Sequence, residues 1–93
     1  MPKISGFQHM MNFVQKYLNG EMDRISWDLD FNHYLTQHYP KMERENSELA
    51  DCFYFYLAEE GFDRGVDLSN VEHKKLIRKQ WREFKAAMED GIY

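Results

Sequence analysis

Ninety-three residues, 43% apolar and 16% aromatic, suffice for one hydrophobic core and are too apolar for a disordered chain. No apolar run approaches the ~20 residues that a membrane-spanning helix needs, and the opening Met1–Gly6 does not have the form of a secretory signal, so a cytoplasmic protein is expected. The net charge of −4 hides an asymmetry: residues 20–68 hold twelve acidic and four basic side chains, whereas residues 69–93 hold six basic and four acidic.

Phe7, Met10, Met11, Val14, Tyr17 and Leu18 recur at helical spacing and predict a first helix over about 6–19. Ser5 or Gly6 can cap its start, and Asn19-Gly20 is a stop signal, with glycine placed for the left-handed position after the last turn. His9 and Asn12 fall on the outer side. A second helix is predicted over about 23–38, capped by Asp23 and carrying Trp27, Phe31, Tyr34 and His38 on one face. Ile25 and Leu29 form a minor apolar row on its other side, which implies a second neighbour. Pro40 is expected to end this helix, because the residue before proline resists the α conformation. Lys41–Ser47 is then a polar loop or an extra turn.

The stretch Leu49 to Glu60 contains the longest apolar run and four consecutive aromatic residues, and it predicts a central third helix over about 46–60. Leu49, Cys52, Phe53, Tyr56 and Leu57 share one helical face, and Asn46 or Ser47 can cap the start. Tyr54 and Phe55 lie outside that face, so the helix is expected to be covered on more than one side. Gly61 is a natural terminator, followed by a loop with Asp63, Gly65 and Asp67. The loop lacks the Asp/Asn ladder and closing glutamate of a calcium site. Ser69 and Glu72 form a capping box for a fourth helix over about 70–89 that Gly91 ends. Leu76, Ile77, Trp81, Phe84 and Met88 make its apolar arc, and Lys74, Lys75, Arg78, Lys79, Arg82 and Lys85 fill the opposite one. No segment alternates with a period of two. The expected fold is all-α, a compact four-helix bundle in a single domain, with helices three and four packed through Phe53, Tyr56, Ile77, Trp81 and Phe84.

The residues that catalysis requires are not grouped in this sequence. There is no phosphate loop, no His-Glu-x-x-His, no Cys-x-x-Cys and no nucleophile elbow, so the protein is not expected to be an enzyme and needs no cofactor or metal. His33 and His38 point about 140° apart on a helix and cannot share a metal ion. The single cysteine, Cys52, reads as a small buried hydrophobe. The basic arc of the fourth helix contains no aromatic residue to stack on bases, and the chain is acidic, so direct nucleic-acid binding is not expected.

The order of elements resembles the bacterial self-protective immunity family typified by the colicin D immunity protein. The resemblance rests on Tyr17-Leu18-Asn19-Gly20-Glu21-Met22 closing the first helix and Asp23-Arg24-Ile25-Ser26 opening the second. An aromatic third helix follows, and Leu68-Ser69 then caps a helix with Leu76-Ile77-Arg78-Lys79-Gln80-Trp81-Arg82-Glu83-Phe84. It spans about residues 12–88. It implies an inhibitor of a cognate RNA-cleaving toxin that covers the cationic active site with acidic groups. The alternative is a non-catalytic helical interaction or regulatory module with another partner. From this sequence alone, the partner surface is expected at Glu59, Glu60, Asp63 and Asp67, with Tyr54, Phe55 and Phe62 as anchors. Glu59 and Glu60 stand there at a predicted helix C-terminus, where the macrodipole disfavours them, and a locally unfavourable choice often marks function. An ordinary acidic loop is the plainer explanation, and exposed Tyr54, Phe55, Phe62 and Val66 would equally suit a homodimer contact.

Overall fold

The computed structural model describes residues 6–89, which form helices and connecting turns with no strand among them. The all-α class and its four helical segments agree with the sequence patterning. The elements are α1 (Gly6–Leu18), α2 (Arg24–Glu45), α3 (Ser47–Phe53) running directly into a π-type helix (Tyr54–Asp63), and α4 (Asn70–Glu89). The expected cap at Ser5 and stop at Gly91 lie outside the described residues. Contacts group the chain into two compact units, Met1–Ala50 and Asp51–Tyr93.

In the first unit α1 packs along α2. Gly20 has φ +84° and closes α1. The Gly20 N–H donates to the Tyr17 carbonyl (3.2 Å) and the Glu21 N–H to the Lys16 carbonyl (2.9 Å), the paired bonds that satisfy carbonyls left over at a helix end. Asp23 caps α2 by accepting from the Ser26 N–H at 2.8 Å. The seam is a ladder of rings. Tyr17 lies 4.7 Å from Trp27, Trp27 4.8 Å from Phe31, Phe13 5.0 Å from Tyr34, and Tyr34 4.8 Å from His38. Phe13 is buried here although periodicity did not single it out. Ile25 and Leu29, expected to meet a second neighbour, are 69% and 73% exposed.

Pro40 does not end α2, which continues to Glu45 and closes at Asn46. Proline inside a helix costs about 3 kcal/mol through a lost hydrogen bond and a clash with the preceding turn. The extra turn offsets this through what it reaches. Met42 is fully buried beside Gly6, and Glu45 Oε2 accepts from the Gly6 N–H at 3.2 Å. Burying such a side chain stabilises by about 1.5–3 kcal/mol and a hydrogen bond adds about 0.5–1.5 kcal/mol. The gains match the penalty, so the helix persists. Asn46 then caps α3 by accepting from the Leu49 N–H at 3.1 Å.

In the second unit the π segment packs along α4. Phe53, Leu57, Ala58, Ile77, Trp81 and Phe84 are buried, with Phe53 edge-on to Phe84 at 5.1 Å. Of the expected contacts, Tyr56 is only half-buried, as are Cys52, Leu76 and Met88. Ser69 caps α4 by accepting from the Glu72 N–H at 3.3 Å. Gly61 does not terminate the third helical segment; backbone helicity runs through it to Asp63. A Cβ at Gly61 would stand 3.1 Å from Ile77 Cδ1, and one at Gly65 only 2.7 Å from the ring of His73. Both glycines act by letting backbone lie against α4 rather than by ending a helix or loosening a loop. His73, which patterning did not mark as apolar, is fully buried.

Candidate protein-binding surface

Phe53, Leu57 and Gly61 are spaced by four and all face inward. An α-helix advances by 100° per residue, so a row of every fourth residue drifts about 40° at each step and would swing about 80° away from its neighbour by Gly61. Hydrogen bonds from i to i+5 widen the turn and counteract that drift. The π winding over Tyr54–Asp63 thus keeps one row against α4 for ten residues. Such windings are rare, mostly confined to a single turn, and frequent at functional sites. This one coincides with six of the seven residues singled out from the sequence.

The outward side of the same segment carries Tyr54 at 42% exposure and Phe55 at 46%, open as partner anchors require and not covered by the second neighbour that the run of aromatics suggested. Glu59 and Asp63 are exposed one and two turns further on, and Asp67 is exposed in the turn beyond. Glu60 is half-buried and ion-paired with Arg64. Phe62 is half-buried, an edge of the core more than a free anchor. Because the helix continues past Glu60, Glu59 and Glu60 stand in its last turn rather than at its end. The macrodipole still disfavours them and acts most strongly on Asp63.

Sequence inspection missed the α4 side of this surface. Phe55, Tyr56, Glu60 and Arg64 face Leu76, Lys79, Gln80 and Glu83 across a shallow, open groove of about 410 Å³. Phe55 and Tyr56 meet edge to face at 5.1 Å. Leu76 and Lys79 are three apart on a helix, and their placement between the apolar and basic arcs of α4 was the available signal. The exposed rings supply apolar area and the carboxylates beside them supply negative potential. Among the described residues, no group of three or more histidine, cysteine, aspartate or glutamate side chains is arranged to hold a metal ion.

No protein-family model, curated protein or solved structure matches the chain.

Proposed function

We propose that the protein is a non-catalytic inhibitor that docks on a basic protein partner through the outer side of the π segment. The colicin D-type resemblance makes the partner an RNA-cleaving toxin domain and the protein its cytoplasmic immunity factor. The observation that carries this reading is the coincidence, within ten residues, of a π winding with exposed Tyr54 and Phe55 and the exposed carboxylates Glu59 and Asp63. A nuclease cleft must be positive to hold phosphate. Acidic groups steer such a partner and fix its register, while desolvated aromatic side chains supply most of the binding energy. Glu60 contributes less than its sequence position implies, because Arg64 already neutralises it.

The test begins with the nuclease-like gene expected beside this one and measures binding of its product to the wild type and to charge reversals at Glu59, Glu60, Asp63 and Asp67. Folded variants that associate more slowly, with a flatter salt dependence, support the reading. Unchanged affinity and salt dependence in all four refute this surface and move attention to Glu43, Glu45 and Glu48 or to the basic arc of α4. A homodimer is the second reading, favoured by the further exposed apolar residues Val66 and Val71. Sedimentation of Phe55→Ser against wild type separates the two, since only a dimer contact shifts the mass of the free protein.

A further inference from the structure

His9 of α1 and His38 of α2 stack face to face across the helix seam, with ring centroids 4.4 Å apart and planes 14° from parallel. Both rings are half-buried. His38 also tilts against Tyr34 at 4.8 Å, and Tyr34 stacks on Phe13, so the imidazoles end the ladder that holds α1 to α2. His9 was expected on the outer side of its helix and His38 on the inner face of its own; the seam brings them together. Parallel neutral rings attract through dispersion, whereas two imidazolium rings at this separation repel.

We propose that the His9–His38 stack is an acid-sensitive latch, closed while the rings are uncharged and opened when protonation places positive charge on both. It is independent of the partner surface on the π segment.

The charges that act on His38 work in the same direction. On α2, Lys41 adds positive charge near His38, and the uncharged face of the Tyr34 ring packs against it. On the α1 side, His9 shares a cleft with Lys16, Glu21, Asp30 and Tyr34. Asp30 and Glu21 line that cleft with His9 and can offset positive charge on its ring. Near the α1 N-terminus, Glu45 is engaged by the Gly6 N–H. Positive charge on His38 is therefore opposed by any charge on the stacked His9 ring and by Lys41. Burial, then His9, then Lys41 hold His38 below its ordinary value of 6.5. A base whose folded-state value is depressed binds more protons when unfolded. Stability is then complete above 6.5 and declines as pH falls from there through the folded value.

The experiment uses the full chain. Imidazole proton resonances are titrated by NMR, and urea unfolding is compared at about pH 7.5 and about pH 5.5, above the range where carboxylates titrate. The expected results are a His38 midpoint below the ordinary value that rises in His9→Gln, and an unfolding constant that increases at the lower pH. His9→Phe, which keeps an uncharged ring in the stack, should lose at least half of that increase on a logarithmic scale. His33→Gln, on an exposed part of α2, should retain it. A His38 midpoint at or above the ordinary value, or the same pH response in His9→Phe as in the wild type, overturns the proposal. The wild-type titration stands on its own if a variant does not fold.

Discussion

Replacing Gly65 by alanine tests whether Gly61 and Gly65 act through packing. The new Cβ would lie 2.7 Å from His73 Cδ2 and 2.8 Å from the Gly61 carbonyl oxygen. Carbon contacts settle at about 3.5–4.0 Å, so both neighbours must yield by most of an ångström, and one of them is backbone. Overpacking of this kind costs about 1–3 kcal/mol, and two simultaneous collisions argue for the upper half of that range. Alanine recovers about 0.4–1 kcal/mol by restricting the unfolded chain, which leaves a net loss near 2 kcal/mol. Gly61→Ala is the internal contrast. Its Cβ would meet Ile77 Cδ1 and the Tyr56 carbonyl oxygen at 3.1 Å each, tight contacts of which one is the end of a flexible side chain. Alanine inside a helix gains about 0.8–1 kcal/mol over glycine, so this variant should stay within about 1 kcal/mol of wild type. Urea unfolding followed by far-UV circular dichroism reads both, and a 2 kcal/mol loss lowers Tm by about 8–16 °C in a domain of this size. The loss from Gly65→Ala should also shrink in a His73→Ala background by at least about 0.5 kcal/mol, the signature of two residues in contact. A Gly65→Ala protein as stable as wild type, or a Gly61→Ala protein less stable than Gly65→Ala, would refute the packing argument.

Three further outcomes follow from the fold. Pro40→Ala should stabilise the protein by about 1–3 kcal/mol in urea titrations, since the helix already passes through this position and proline's stiffening of the unfolded chain recovers only part of its cost. Trp81→Ala should cost about 3–5 kcal/mol, because the indole is 5% exposed and stacks on Phe84 at 6.0 Å; thermal melts showing a loss below 1 kcal/mol would remove Trp81 from the core. The Asp23 carboxyl group lies below its ordinary value, first through the Ser26 backbone N–H and then through the Ser26 side chain. The folded state therefore binds this proton more weakly than the unfolded state. The cap contributes fully above 3.8 and is lost as pH falls through the lower folded value. Asp23→Asn keeps an acceptor that does not titrate, so its stability should fall less steeply in that acid range, and parallel acid limbs would contradict the assignment.

Much of this architecture was legible in the sequence because its signals are local. A capping side chain and its target N–H lie three residues apart, so Asp23 and Ser69 could be assigned without knowledge of the fold and the third cap narrowed to Asn46 or Ser47, of which Asn46 accepts. Gly20 closes α1 because a left-handed residue disfavours any side chain, which is again a property of one position. Periodicity placed Trp27, Phe31, Ile77, Trp81 and Phe84 inside for the same reason. The stretch from Tyr54 to Asp67 also stood out, since four aromatics beside four carboxylates need no partner to be seen.

What the tertiary structure decided are the outcomes of competition between local preference and distant contact. Proline should end a helix, yet the burial of Met42 beside Gly6, thirty-six positions away, carries α2 through Pro40. Glycine should end one as well, yet at Gly61 the lack of a side chain serves close approach to Ile77. The i to i+5 winding that keeps Phe53, Leu57 and Gly61 on one side is set by the long neighbour α4, and no period in the sequence announces it. The same holds for His9 and His38, twenty-nine residues apart, whose stacking exists only because α1 and α2 are antiparallel neighbours. Local rules rank conformations by about 1–3 kcal/mol, and a buried side chain contributes as much, so wherever the two oppose each other the packing partner determines the result.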